Sequence, residues 1–255
     1  MLYNVYRYII INITQSGGNM KKILLTVLAL TVFSLSAYAD DLRIAAGAGY
    51  KALVEDMAAY YEAKTGKKME RMYGNMGQVA AQVKLGGGIC AVIGEESFLK
   101  TSGVPYTSYN PIGKGILAII ARKGLKISTP EDLKKPEFAK IAIPDAEKAI
   151  YGKAGTQLIK NTNLGIEGKL LPAQTVPQAG SYVLSGEADA GFVNITFAGN
   201  NKDNLGGFIE VTKGYSPLEI SAATLDGCPA PEELKAFIGM LGTPDMKKIA
   251  KKNGL

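Results

Sequence analysis

The sequence predicts an α/β fold of mostly parallel sheets covered by helices and divided into two lobes. Two observations lead there. Short apolar runs alternate with stretches of helical period along the chain, and strands buried on both faces between helices are the mark of parallel sheets. The part that carries this alternation, residues 40 to 255, is long enough for two smaller lobes, which it fits at least as well as one sheet.

Leu42 to Ala46 is a short apolar strand, and after Gly47-Ala48-Gly49 comes a helix with Leu53, Met57, Tyr60 and Tyr61 on one face, stopped by Gly66. Lys68 to Tyr73 reads as the next strand. The turn Gly74-Asn75-Met76-Gly77 opens a helix with Val79 and Val83 on one face, closed by Gly86-Gly87-Gly88. Ile89 to Ile93 is a buried strand, followed by a short helix from Gly94-Glu95-Glu96-Ser97. Ile116 to Ala121 is apolar on both faces. Ser128-Thr129-Pro130-Glu131 has a cap residue, a proline and an acid in the order of a helix start. Ile141 to Ile143 is a buried strand before a helix near Ile150 to Lys160. Gln178 to Leu184 is helical, Ala190 to Ile195 is a strand, and helices at Pro231 to Leu241 and Thr243 to Lys252 close the chain.

Composition narrows the chemistry. The chain is 47% hydrophobic and 20% charged, ordinary for a globular protein, so disorder is excluded as a description of the whole. It holds no histidine. That removes Ser-His-Asp and Cys-His nucleophiles, His-ligated zinc and imidazole acid–base work, and leaves an enzyme only carboxylates, Lys, Tyr or Cys.

Met20-Lys21-Lys22, the apolar run Ile23 to Leu35 and the triplet Ala37-Tyr38-Ala39 form a secretory signal peptide, with cleavage expected after Ala39. The apolar run is too short for a comfortable membrane span, and residues 1 to 19 read as an upstream extension. Cleavage removes Arg7, Lys21 and Lys22 and no acid, so the formal charge falls from +6 to +3. Without a dense Lys/Arg stripe, that charge makes no nucleic-acid surface. The expected product is exported to the periplasm. There Cys90 and Cys228 can pair, but the apolar run around Cys90 favours two separate buried thiols.

Three turns share one physical character. Gly47-Ala48-Gly49, Gly74-Asn75-Met76-Gly77 and Lys148-Ala149-Ile150-Tyr151-Gly152 all lead from a strand into a helix. The first turn of a helix leaves N–H donors without internal partners, and glycine lets a ligand approach them closely, so three such turns together make an anion cage. Lys51, Lys148 and Lys153 lie in or beside these turns and would add charge. No turn has the spacing of a dinucleotide fingerprint or a P-loop.

The order of elements and several stretches resemble the periplasmic molybdate-binding proteins of ABC importers. The matching stretches are Arg43-Ile44-Ala45-Ala46, Tyr73-Gly74-Asn75-Met76-Gly77-Gln78, Ile141-Ala142-Ile143-Pro144-Asp145, Tyr151-Gly152-Lys153-Ala154, Gly186 to Val193 and Pro244 to Leu255. The resemblance implies a type II periplasmic binding-protein fold: two lobes, residues 40–112 with 213–255 and residues 113–212, joined by two crossing strands. It implies a ligand between them at Ala48, Gly49, Tyr50, Lys51, Asn75, Met76, Gly77, Gln78, Tyr151, Gly152, Val176 and Asn194. It further implies no catalysis, no cofactor, no metal cation as ligand, a bound molybdate or tungstate, an inner-membrane ABC permease as partner, and a monomer. The chain departs from the family pattern with Ala48 and Met76 in place of serines, Tyr151 in place of a small residue and Asn194 in place of a tyrosine. Those departures leave phosphate, sulfate or an organic acid as alternative cargo, and a sensory or accessory binding role as an alternative use.

Overall fold

The computed structural model describes residues 41–255; the expected signal peptide, its cleavage site and the upstream extension lie outside them. Two five-stranded sheets form the frame. The first contains β1 (Leu42–Gly47), β2 (Met69–Gly74), β3 (Ala91–Glu95), β4 (Tyr106–Gly115) and β10 (Leu218–Leu225), in the order β2-β1-β3-β10-β4. The second contains β5 (Leu117–Arg122), β6 (Ile141–Pro144), β7 (Leu170–Ala173), β8 (Ala190–Asn194) and β9 (Leu205–Val211), in the order β7-β6-β8-β5-β9.

Both orders repeat one plan. Three parallel strands lie on one side, a reversed strand follows, and the edge strand returns to the common direction. The reversed strand is β10 in the first sheet and β5 in the second, so each sheet is completed by a strand that arrives from the other. The chain crosses once at Ile116, between β4 and β5, and again through residues 212–217, between β9 and β10.

The central strands β1, β3, β6 and β8 are buried nearly end to end because helices cover both faces. In the first sheet the helices are α1 (Lys51–Thr65), α2 (Met76–Lys84) and α3 (Glu96–Thr101); in the second they are α4 (Ile150–Asn161), α5 (Val176–Ser185) and α6 (Ile195–Asn200). The closing helices are α7 (Pro231–Leu241) and α8 (Pro244–Lys252), each with proline in its first turn.

Four strands were missing from the sequence reading. β4 alternates half-buried with exposed polar residues and contains Pro111, β7 is four residues with Pro172, and β9 carries Gly206 and Gly207. All three are edge strands, where a missing N–H or weak pattern is tolerated. β10 is a buried strand built largely from small residues. The helix expected at Thr129 is only a short 3₁₀ turn, Pro130–Lys134, because Lys135 precedes Pro136 and is held extended.

Cys90 and Cys228 form a disulfide, which overturns the reading of two separate thiols. Cys90 leads into β3 and Cys228 follows β10, and these strands are antiparallel neighbours, so the two sulfurs meet at one end of the first sheet. The bond spans 138 residues of sequence, and cross-links over long loops restrict the unfolded chain most. Replacing Cys228 with Ala should lower the unfolding free energy by about 2–4 kcal/mol, read as a reduced urea midpoint. An unchanged midpoint would show that the cross-link contributes no constraint.

Candidate functional site

The carboxyl ends of β1, β2, β6 and β7 bring four strand-to-helix turns to one place between the sheets. They enclose a cavity of about 20 Å³ lined by Gly47, Ala48, Gly49 and Tyr50, by Gly74, Asn75 and Met76, by Ala149, Ile150 and Tyr151, and by Thr175 and Val176. No charged side chain lines it.

The turns differ in how their helices begin. Asn75 caps α2 by accepting from the Gln78 N–H at 2.9 Å, and the Gln78 side chain accepts the Asn75 N–H at 2.9 Å. Thr175 caps α5 through Gln178, and Asn194 caps α6 through Phe197. By contrast, the 3₁₀ turn Ala48–Tyr50 that leads into α1 has no side-chain cap, nor does α4 at Ala149. First-turn N–H groups without a cap need acceptors from elsewhere, and the helix dipole favours a negative one. In α4 the Ala149 N–H bonds Asp145 and those of Gly152 and Lys153 bond the Ala149 carbonyl. The uncapped donors of that turn are therefore Ile150 and Tyr151. One such turn belongs to each sheet, and they face the same cavity.

Two buried tyrosines complete the wall. Tyr50 and Tyr151 are 3% and 2% exposed, with ring centroids 6.1 Å apart. The Tyr50 hydroxyl lies close to Tyr151 yet has no hydrogen-bond partner. A buried hydroxyl left without a partner costs about 1–3 kcal/mol, and the group beside it is the Tyr151 side chain.

Seven of the twelve expected site residues line this cage: Ala48, Gly49, Tyr50, Asn75, Met76, Tyr151 and Val176. Met76 does so with its backbone and side chain spent elsewhere, since its N–H bonds the Lys148 carbonyl at 2.8 Å and its sulfur packs toward Gly47 and Gly94. The remaining five lie off the cage. Gly77 sits beneath the Lys148 side chain, and Gln78 is spent on the capping box. Gly152 abuts the Pro144 carbonyl, where a Cβ would lie at 2.2 Å, and its N–H is used within its own turn. Asn194 donates to the Gly49 carbonyl at 2.6 Å, a bond that ties the turn after β8 to the turn after β1. Lys51 rides 5.8 Å from the Tyr73 ring centre and lines an outer groove of about 300 Å³ with Glu55 and Asn200.

The expected lysine charge is likewise displaced. Lys148 pairs with Asp145 at 3.7 Å, and Lys153 lines a separate cavity beside Glu95. Glu95 itself caps α3 by accepting the N–H groups of Ser97 and Phe98. Thr175 is the cage residue that the sequence reading missed; Thr175-Val176-Pro177 has the same cap-then-proline form as Thr129-Pro130 and could have marked it.

Two sheets of like plan, crossed twice by the chain, with one cage of uncapped turns between them, define a protein that grips a small solute rather than transforms it. Residues 42–255 match the family model of bacterial extracellular solute-binding proteins. The chain belongs to that family, whose members are binding proteins and not enzymes. It is similar to the molybdate-binding protein ModA of Azotobacter vinelandii, 24% identical over 241 residues that cover 91% of this chain and 96% of that one. The solved structure of the Azotobacter vinelandii periplasmic molybdate-binding protein has the same fold, with a TM-score of 0.75 at 22% identity over 84% of this chain and 98% of that one. L-phospholactate-bound PEB3, a protein of Campylobacter jejuni, shares it at a TM-score of 0.66 and 21% identity, covering 84% and 98%. The type II periplasmic binding-protein fold expected from the resemblance is the fold found.

Burial pushes the Tyr50 and Tyr151 hydroxyls well above the ordinary tyrosine range, so both stay protonated donors throughout neutral pH. The chain has no histidine, and both cysteines are bonded. Binding of a fully ionised anion in the cage should therefore be level from about pH 6 to pH 9 by titration calorimetry. A tenfold change across that window would mean that a titrating side chain outside the cage holds the ligand.

Proposed function

We propose that this solute-binding protein serves an ABC importer by capturing a fully ionised tetrahedral oxyanion, molybdate or tungstate, between its two lobes. The observation that carries the reading is the pair of uncapped turns at Ala48–Tyr50 and Ile150–Tyr151, one from each sheet, facing one cavity without a charged side chain. Neutral donors fixed in place hold an anion through hydrogen bonds and helix dipoles. A protonated anion such as phosphate also needs an acceptor. The carbonyls of Lys148 and Gly49 are engaged already, by the Met76 N–H and by Asn194, so few backbone acceptors are left for the O–H of phosphate, which is disfavoured.

The mechanism is hinge closure. An anion whose oxygens accept from both turns stabilises the arrangement in which the lobes meet, and the permease reads that arrangement. The protein acts in the periplasm as a monomer after cleavage behind Ala39. The similarity to a molybdate-binding relative supports the choice of cargo.

A thermal-shift screen against molybdate, tungstate, sulfate, phosphate, chromate and small carboxylates tests the reading. At 100 times its dissociation constant a ligand stabilises by about 2.7 kcal/mol, or roughly 5–10 °C for a chain of this size. Shifts with molybdate and tungstate and none with phosphate are expected. A shift with a carboxylate or a phosphorylated hydroxy acid alone would transfer the role to organic anions.

A further inference from the structure

The cage reaches the interlobe crossings through one side chain. Tyr151 stands at the start of α4, and its ring forms a wall of the cage against Tyr50. Its far end lies where the crossings begin. A Cβ built on Gly115 would fall 2.5 Å from the Tyr151 Oη, 3.4 Å from its Cζ and 3.3 Å from the Leu218 Cβ. Gly115 is the last residue of β4, just before the first crossing, and Leu218 is the first residue of β10, just after the second. Tyr215 ties the two crossings together: its hydroxyl accepts the Leu117 N–H at 3.1 Å and donates to the Val211 carbonyl at 2.5 Å.

We propose that Tyr151 is a positioning residue that couples occupation of the cage to the angle between the lobes, an inference that rests on the oxyanion reading above. The Tyr151 ring lines the space between the turns, so an anion seated there bears directly on it. The Tyr151 ring is rigid, and its hydroxyl is seated against Gly115, whose partner across the sheet is Leu218. Displacement at the cage end is therefore transmitted to the residues that flank both crossings, the few positions where a hinge absorbs rotation. Gly115 is required because any Cβ there occupies the place of the hydroxyl.

The experiment combines Gly115→Ala with Tyr151→Phe. Gly115 lies in an ordinary strand, so alanine fits the backbone and meets the Tyr151 hydroxyl most closely, with the Leu218 Cβ as its next contact. Molybdate affinity by calorimetry and the radius of gyration by small-angle scattering, with and without molybdate, are measured for the wild type, both single variants and the double variant. The wild type is expected to change radius on binding. Gly115→Ala should bind molybdate at least tenfold more weakly and show no change in radius. Removing the hydroxyl leaves Cζ at ordinary contact distance, so the double variant should return to within about threefold of Tyr151→Phe and change radius again.

A Gly115→Ala protein that binds and responds like the wild type overturns the coupling and leaves oxyanion capture standing, as does a double variant as weak as Gly115→Ala. A wild type that binds no molybdate overturns the capture reading and the coupling with it. Thermal melts without ligand identify a variant that has merely lost stability; a rescue confined to melting temperature, with affinity unrestored, also overturns the coupling.

Discussion

Helices α1 and α4 begin without side-chain caps, and the rest of the site is arranged around that constraint. No side chain caps either turn: Gly47 opens the 3₁₀ turn before α1 and Ala149 opens α4, while Tyr50, which opens α1, keeps its hydroxyl out of the cap. Their N–H groups are brought together between the sheets, where burial without a partner costs about 1–3 kcal/mol for each group. Closure is therefore favourable when something with several acceptor atoms lies between the turns. The neighbouring helices α2 and α5 are capped by Asn75 and Thr175, so they shape the cage and contribute few free donors.

The two sheets set this local condition between two lobes joined by two crossings. Each is finished by a reversed strand from the other side of the molecule, so the crossings at Ile116 and at residues 212–217 are built into the sheets they join. Cys90 and Cys228 bind β3 to β10 at the end remote from the cage, because β3 starts at the cysteine end and finishes at Glu95. Direct bonds from Asn194 to the Gly49 carbonyl and from the Met76 N–H to the Lys148 carbonyl fix how the turns meet.

Much of this was legible in the sequence. The central strands β1, β3, β6 and β8 are continuous apolar runs because both faces are covered, and the glycine-rich turns after β1 and β2 announced the site. Edge strands were not legible, since β4 and β9 owe their pairing to neighbours far along the chain rather than to a buried face of their own. The capping bonds of Gln78 and Asn194 were not anticipated, although the sequence carried their signal. Asn75-x-x-Gln78 has the spacing of a capping box, and Asn194 stands at a helix start. Their polar tips were spoken for by the backbone before any ligand could use them. The contact of Tyr151 with Gly115 has no local signature, because it joins two elements distant in sequence.

The central claim is that one anion bridges uncapped helix starts from both sheets. A crystal structure of the protein grown with tungstate, located by its anomalous scattering, tests this most directly. The account predicts a single heavy-atom site with oxygens within hydrogen-bond distance of N–H groups in both the Ala48–Tyr50 turn and the Ile150–Tyr151 turn. A site that touches the turns of one sheet only, or that lies in the outer groove beside Lys51, would contradict it.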